Sequence, residues 1–300
     1  MNIINRLIVN FVKLLPKSFV YIFAKKYVAG TRLEDAMNVT RDLNNKGILT
    51  TIDVLGEAIT NLDEATATQK ACLEVLESIE KNKLNANLSI KPTSLGLAIN
   101  KEVCYNLVEE LVQKAAEYNN FVRLDMEDSP YTDLTIELFT KLHQKYSNVG
   151  IVVQAYLKRT YSDVENLNPL GTNYRLCKGI YIEPAEIAFK SREEIRKNYV
   201  KILGKMLDDG NYVGIATHDE YLINKAYGML REKNVAEGNY EFQMLYGVRE
   251  DLRNKIVADK HKLRVYIPFG EKWYEYSMRR FQENPELAWY VTKSVFSFNK

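Results

Sequence analysis

Residues 121–157 read FVRLDMEDSPYTDLTIELFTKLHQKYSNVGIVVQAYL. Two short runs rich in β-branched and apolar residues, 121–127 and 150–157, flank a helical pattern over Thr132–Tyr146. Parallel strands need a crossover connection of about a dozen residues or more, and a helix usually supplies it. The stretch therefore predicts one strand–helix–strand unit with parallel strands.

The same alternation continues on both sides of this unit. Six more strand-like runs cover 48–55, 87–92, 173–181, 212–218, 240–247 and 263–270. Helical patterns occupy the other spacers. They are clear at Asp63–Lys81, Lys101–Tyr118 and Ser191–Asp209, less clear at Glu220–Lys233 and Arg249–Asp259, and short and weak at Ser162–Asn168. Eight strands joined by helix-sized spacers predict an α/β protein with a (βα)8 barrel of the TIM type.

An open doubly wound sheet is the main rival architecture. Such a sheet usually has fewer strands and carries a G-x-G-x-x-G turn after the first one. The first run here, 48–55, is followed by Gly56 and Glu57 without that motif. The closed barrel is therefore the preferred fold.

The chain is predicted to divide into an N-terminal helical arm, 1–45, and a barrel catalytic domain, 46–300, with C-terminal helices at Lys272–Asn284 and Pro285–Ser294. Apolar residues spaced for one helix face occur at Ile4, Leu7, Ile8, Phe11, Val12 and Leu15. A second short helix is predicted over Lys17–Tyr27. Uncharged runs are shorter than the ~20 residues of a membrane span. The basic rim of the arm leaves two readings open, packing on the barrel or contact with a membrane surface.

Composition excludes several classes of function. The net charge of +2 gives no reason to expect nucleic acid as a partner. Cys72, Cys104 and Cys177 are widely spaced and form no CxxC pair, so neither a zinc site nor a disulfide framework is expected. The three histidines have no metal-ligand spacing, so no metal is expected. Cysteine usage favours a cytoplasmic location.

Polar residues recur at the carboxyl ends of seven of the strand-like runs. They are Lys91 and Thr93; Asp125 and Glu127; Gln154; Arg175, Lys178, Gly179 and Tyr181; Thr217, His218 and Asp219; Gln243; and Tyr266. Taken singly, each is more typical of a helix cap or a solvated loop. Barrel enzymes place their chemistry at this end of the strands, so together these residues predict one shared site.

The segment YSMRRFQEN, residues 276–284, places Tyr276, Arg279, Arg280 and Glu283 on one helix face. The planar guanidinium of arginine matches a carboxylate with two parallel hydrogen bonds. Two adjacent arginines can therefore bind a small acid. An ordinary solvated helix with an Arg–Glu pair explains the same spacing equally well.

This segment resembles the Y-x-x-R-R-x-x-E-N signature of proline dehydrogenases. The resemblance extends in order through SIKPTSLG (89–96), VRLDMED (122–128), VVQAY (152–156), YRLCKGIY (174–181), ATHDE (216–220), EFQMLYG (241–247) and VYIPFG (265–270). It implies the monofunctional type with a distorted barrel, a non-covalent FAD, L-proline as substrate, and a site covered by the helix after the eighth strand.

The resemblance also implies roles for individual residues. The substrate would be bound by Lys91, Tyr181, Tyr266, Tyr276, Arg279, Arg280 and Glu283, with Lys91 paired to Glu283 and Leu176 shaping the pocket. The catalytic residues would be Asp125 and Arg175. The flavin would contact Gln154, Arg175, Lys178, Gly179, Ile180, Thr217, His218 and Gln243. Ile180 and Ile182 depart from the smaller and aromatic residues expected there.

The expected reaction is oxidation of L-proline to 1-pyrroline-5-carboxylate, the first step of proline catabolism. A membrane quinone would accept the electrons, and pyrroline-5-carboxylate dehydrogenase would be the functional neighbour. The protein would then be cytoplasmic and peripheral at the inner face of the membrane. Two other classes stay open: a Schiff-base lyase or aldolase that uses Lys91 or Lys178, and a flavin-free carboxylate-binding protein.

Overall fold

Eight parallel strands close into one barrel in sequence order. The computed structural model describes residues 16–56 and 59–283, with side chains for all of these except 18, 19, 23 and 279–283. The strands are β1 (Leu49–Val54), β2 (Ala86–Ile90), β3 (Val122–Leu124), β4 (Val149–Gln154), β5 (Tyr174–Cys177), β6 (Val213–Ala216), β7 (Tyr240–Leu245) and β8 (Leu263–Phe269). Strand β8 pairs in parallel with β1, which confirms the predicted (βα)8 barrel.

Helices connect the strands and cover the barrel. Within the described residues they are α1 (Lys17–Ala24), α2 (Leu33–Asn44), α3 (Leu62–Lys81), α4 (Lys101–Glu117), α5 (Thr132–His143), α6 (Thr160–Leu167), α7 (Arg192–Asp208), α8 (Glu220–Glu232), α9 (Glu250–Ala258) and α10 (Trp273–Glu283). Every predicted spacer helix is present, and the weakly patterned one is α6. None of the described helices is both long and apolar enough to cross a bilayer.

Local sequence explains where these helices begin. At the start of α7, the Ser191 hydroxyl accepts the Glu194 backbone N–H at 3.1 Å, and the Glu194 carboxylate accepts the Ser191 N–H. At the start of α3, the Asn61 side chain accepts the Glu64 N–H at 3.0 Å. Such caps satisfy backbone donors that have no partner inside the helix.

The two faces of each strand have opposite character. Outward side chains such as Ile52, Leu88 and Leu124 are fully buried in an apolar layer beneath the helices. Inward side chains are largely polar: Thr51, Asp53, Asn87, Ser89, Arg123, Asp125, Gln154, Arg175, Glu241, Gln243, Arg264 and Tyr266. TIM barrels usually fill this space with branched apolar residues, so the polar interior marks this barrel as unusual.

The helix after β8 does not lie beside the barrel, where a regular (βα)8 fold would place it, but covers the site as the family resemblance implied. Helix α2 packs against β1 and β8 instead, and α10 packs against α1. Tyr276 of α10 lies with Val28 and Leu55 in a small apolar cluster. Helix α10 therefore lies over the carboxyl ends of the strands.

Two predicted helical segments, 4–15 and Pro285–Ser294, lie outside the described residues. The division into an arm of residues 1–45 and a barrel of residues 46–300 stays a prediction.

Replacing Gly150 on the inner face of β4 should destabilise the fold. A β-carbon there would lie 2.5 Å from both Arg123 Nη1 and the Asn173 carbonyl oxygen. We expect Gly150→Ala to lower the free energy of unfolding by about 1–3 kcal/mol, because the packed neighbours must shift. Urea unfolding measures the change. Gly228→Ala in α8 is the control, since nothing lies within 4 Å of its added carbon. It should stabilise the helix by about 0.5–1 kcal/mol. Equal stability of the two variants would contradict this account.

Candidate active site

A cavity of about 280 Å³ opens at the carboxyl ends of the strands. Thirteen of the residues predicted for the site line it: Lys91, Asp125, Gln154, Arg175, Lys178, Gly179, Ile180, Tyr181, Thr217, His218, Gln243, Tyr266 and Tyr276. The side chains of Arg279, Arg280 and Glu283 lie outside the described part of the chain. The barrel therefore brings residues from seven strand ends and from α10 to one place.

A buried ion pair joins β5 to β3 inside this cavity. Arg175 Nη1 donates to Asp125 Oδ1 at 2.7 Å, and the two side chains are 8% and 13% exposed. Ser89 of β2 donates to the same carboxylate oxygen at 2.8 Å and accepts from Arg175 at 3.1 Å. Such burial is tolerated only when every charge is paired and hydrogen-bonded.

Tyr266 of β8 completes this cluster. Its hydroxyl donates to Asp125 Oδ2 at 2.9 Å, and the Arg175 guanidinium carbon lies 5.2 Å from its ring centroid. Burial, together with the charge of Asp125, raises the pKa of Tyr266 well above its ordinary value. The phenol therefore stays protonated and acts as a hydrogen-bond donor.

Lys91 is held by a carboxylate that its sequence pattern did not reveal. Its Nζ lies 2.6 Å from Asp53 Oδ2, and it also donates to the Tyr266 hydroxyl at 3.4 Å. Burial raises the pKa of Asp53, and the Lys91 ammonium opposes that shift. The predicted pairing of Lys91 with Glu283 stays a prediction, because the Glu283 side chain lies outside the described residues.

Gln154 is fixed by its amide nitrogen. Nε2 donates to the Glu127 backbone carbonyl at 2.8 Å, which leaves Oε1 as the acceptor that the cavity can use. The carboxylate of Glu127 accepts the Thr93 N–H at 2.9 Å and also contacts its hydroxyl. Glu127 and Thr93 therefore join two strand ends and do not line the cavity.

The hydrogen bond of His218 selects its tautomer. Its Nε2 accepts the backbone N–H of Leu245 at 2.8 Å, so a neutral ring carries its proton on Nδ1. Beside it, Thr217 Oγ1 accepts the Asp219 backbone N–H at 3.1 Å. These bonds hold the turn after β6 in place.

Asp219, at the rim of the cavity, forms ion pairs with two cationic side chains. Arg196 of α7 donates two hydrogen bonds to its carboxylate, at 2.9 and 2.7 Å, and Lys178 Nζ lies 3.4 Å away. Burial alone would raise the pKa of Asp219, but Arg196 and Lys178 outweigh it and lower the pKa to about 2. Asp219 stays ionised and anchors Lys178 beside the cavity.

Comparison with known proteins shows which family the chain belongs to. The family model described as "Proline dehydrogenase" matches residues 36–291. The chain belongs to the proline dehydrogenase family. The family resemblance predicted from the ordered motifs is thereby confirmed, and the protein is an oxidoreductase that oxidises proline in proline catabolism.

Two relatives agree along nearly their whole length. The chain is 36% identical to "Proline dehydrogenase 2" of Bacillus subtilis (strain 168), over 91% of this chain and 90% of that one. It is 32% identical to "Proline dehydrogenase" of Deinococcus radiodurans, over 95% and 93% of the two chains.

A solved structure of a larger protein has the same fold. It is proline utilization A from Bdellovibrio bacteriovorus inactivated by N-propargylglycine, with a TM-score of 0.82 and 25% identity. The alignment covers 88% of this chain and 33% of that one, so the chain corresponds to about a third of the longer protein.

The loop after β5 shows how this family member departs from the expected motif. Gly179 has a φ of +102°, and a β-carbon there would overlap the Tyr156 ring, so glycine is required. Ile180 is 40% exposed and Ile182 is 96% exposed. The replacement of an aromatic residue by Ile182 therefore leaves an apolar side chain open at the rim.

Sequence reasoning missed four inward residues that support the family's site. Asp53, Ser89, Glu241 and Arg264 each contact a cavity residue or its neighbour without lining the cavity. For Ser89, Glu241 and Arg264 the available signal was a charged or hydroxyl side chain two positions before a predicted site residue, since such residues share a face. Asp53 had no such signal, because β1 carries no predicted site residue.

Asp219→Asn should destabilise the enzyme in a pH-dependent way. The folded pKa of about 2 lies below the ordinary 3.8. The carboxylate therefore contributes stability above about pH 4, and this is lost as the pH falls toward about 2. We expect a loss of about 3 kcal/mol at neutral pH, because the cationic partners lose their counter-charge.

Urea unfolding across this pH range measures the effect. The wild type should lose part of its advantage over Asp219→Asn on acidification. Asp251→Asn, which removes a carboxylate 66% exposed beside Arg249, should remain close to the wild type. If the difference in unfolding free energy between wild type and Asp219→Asn were the same at every pH, the lowered pKa assigned to Asp219 would be wrong.

Proposed function

We propose that the protein oxidises L-proline to 1-pyrroline-5-carboxylate with a non-covalently bound FAD and passes the electrons to a membrane quinone. The observation that carries the proposal is the cluster of Arg175, Asp125 and Tyr266 in one cavity beneath Tyr276. This cluster combines a fixed cation with aromatic walls. Membership of the proline dehydrogenase family supplies the reaction class.

The donors and acceptors of the cavity fit a flavin ring. Within the described residues, Arg175 Nη2 has no hydrogen-bond acceptor, and Gln154 offers its Oε1. Apolar walls come from Val152, Ala216 and Leu245. FAD, when bound, supplies the acceptor for the hydride. We assign Gln154, Arg175, Lys178, Gly179, Ile180, Thr217, His218 and Gln243 to holding it.

Substrate binding is assigned to the helix α10 side of the cavity. Tyr276 and Tyr266 provide aromatic walls for a five-membered ring, with Tyr181 nearby. Lys91 adds positive charge close to Tyr266. In this proposal Arg279 and Arg280 bind the carboxylate, and Glu283 orients them and pairs with Lys91. Fixing the substrate in a reactive orientation removes several kcal/mol of the barrier.

Asp125 and Arg175 are assigned electrostatic and orienting roles. Asp125 accepts hydrogen bonds from Ser89, Arg175 and Tyr266, so both its oxygens are occupied. We therefore assign it to orienting Arg175 and Tyr266 and not to removing the amine proton. A preorganised guanidinium stabilises negative charge that develops during the reaction without reorganising.

The ion pairs of the two lysines disfavour a Schiff-base lyase. A lysine nucleophile has to lose its proton before it attacks a carbonyl. Lys91 lies 2.6 Å from Asp53, and Lys178 lies 3.4 Å from Asp219. Each lysine therefore lies beside a carboxylate, whereas a Schiff-base lysine is activated by an apolar pocket or by a neighbouring cation.

The proposal also covers partners and location. We place the reaction in the cytoplasm, at the inner face of the membrane, where a quinone is available. A pyrroline-5-carboxylate dehydrogenase would take up the product. A relative of this chain from Escherichia coli (strain K12) is named "Bifunctional protein PutA". It is 26% identical to this chain, which covers 24% of its length. That name is consistent with a second activity adjacent to the first.

Absorbance separates the three candidate functions. The purified protein should be yellow, and adding L-proline without an acceptor should bleach the flavin band. Adding a soluble quinone should restore the band, because quinone reoxidises the cofactor. A colourless protein that borohydride and substrate inactivate would be a lyase. A colourless protein that binds proline and takes up no added FAD would be a binding protein.

Arg279→Met and Arg280→Met should each weaken proline binding. A charge-assisted hydrogen bond to a carboxylate contributes roughly 1.5–3 kcal/mol, so the KM for proline should rise about 10- to 100-fold. Steady-state kinetics with a quinone acceptor measures KM and kcat. Arg231→Met, an exposed arginine of α8, is the matched control and should behave as wild type. An unchanged KM in both clamp variants would exclude the carboxylate assignment.

A further inference from the structure

A further buried ion pair, beside those of Arg175 and Lys91, lies deeper in the barrel than the cavity. Arg264 of β8 donates to Glu241 of β7 through Nε at 2.6 Å and through Nη2 at 3.1 Å. Their side chains are 13% and 2% exposed, and Arg264 Nη1 also donates to the Thr50 carbonyl at 2.7 Å. Neither residue lines the cavity. The proposed reaction has no direct use for this pair, although it is costly to bury.

This pair determines which way the Gln243 amide points. Gln243 lies between Glu241 and Arg175, with Nε2 2.7 Å from Glu241 Oε1 and Oε1 2.6 Å from Arg175 Nε. An ionised carboxylate only accepts hydrogen bonds and a guanidinium only donates them. A flipped amide would face a donor with a donor and an acceptor with an acceptor. Glu241 and Arg175 therefore permit one orientation only.

Glu241 is held in the ionised form that this orientation requires. Burial would raise its pKa, but Arg264 and the hydrogen bond from Gln243 outweigh that and keep the pKa below its ordinary value. The carboxylate therefore acts as a permanent acceptor. A continuous chain of hydrogen bonds therefore runs from Arg264 through Glu241 and Gln243 to Arg175.

We propose that Glu241 and Arg264 are positioning residues, which fix Gln243 and through it hold the Arg175 guanidinium in the orientation that the cofactor requires. The inference rests on the proposed function and deepens it. The Arg175 guanidinium is held at two of its nitrogens: Nη1 donates to Asp125 and Ser89, and Nε donates to Gln243, so the direction of the remaining Nη2 is fixed. Loss of the Gln243 contact lets the guanidinium rotate about the Asp125 contact.

A single substitution cannot separate positioning from folding. Glu241→Gln leaves the buried Arg264 without a counter-charge, which destabilises the fold whatever else it does. The double variant Glu241→Leu with Arg264→Met removes both charges. Apolar replacement of a buried ion pair is often neutral for stability. It also removes the acceptor that orients Gln243, so stability and positioning respond differently.

The holoenzyme is compared in four forms: wild type, Glu241→Gln, the double variant, and Glu109→Gln. Thermal unfolding, kcat and KM for proline, and the midpoint potential of the bound flavin are measured for each. We expect the double variant to unfold near the wild-type temperature, with kcat lowered about 10-fold or more. Its potential should be more negative, since negative charge on the cofactor is less well stabilised. Its KM should stay within about two-fold.

Glu109→Gln is the matched control. It makes the same Glu-to-Gln change in an ion pair with Lys145 at 2.9 Å on the outside of the barrel, and should leave kcat, KM and the flavin potential unchanged. A double variant with wild-type kcat and potential would overturn the inference and leave the proposed function intact. A wild-type protein that binds no flavin and oxidises no proline would overturn both.

Discussion

The pairing of Arg175 with Asp125 is the interaction around which the site is assembled. Moving a guanidinium and a carboxylate out of water costs several kcal/mol for each ion, so both need complete sets of partners. Ser89, Tyr266 and Gln243 supply them from β2, β8 and β7. A constraint on one charge pair therefore selects the polar residues of strands that are far apart in the chain.

Along each strand, the residues that stabilise the fold alternate with the residues that form the polar interior. Ile52, Leu88 and Leu124 face outward and are fully buried beneath the helices. Their sequence neighbours Asp53, Ser89 and Asp125 face inward and take part in the ion-pair network. Because strand side chains alternate between faces, the barrel keeps an apolar layer for folding while its interior carries charge.

The covering of the site follows from where α10 lies. With α2 occupying the outside of β1 and β8, the helix after β8 is free to lie across the mouth and bring Tyr276 into the cavity. The proposed clamp of Arg279 and Arg280 follows Tyr276 by one turn of the same helix. In the proposed site, a helix placed in this way would shield the substrate from water and supply one aromatic wall of its pocket.

The sequence by itself determined the barrel, the order of its units, the family and the residues at the strand ends. Strand runs, spacer lengths and ordered motifs are local properties, and periodicity reports which side chains share a face. Only the tertiary structure decided which charged and polar side chains of the barrel interior pair with each other. Lys91 lies 38 residues from Asp53, and Arg175 lies 68 residues from Gln243. Glu241 and Arg264 looked like ordinary strand residues for the same reason. Closure of the barrel sets the register that places these charges opposite each other, and no local pattern contains that register.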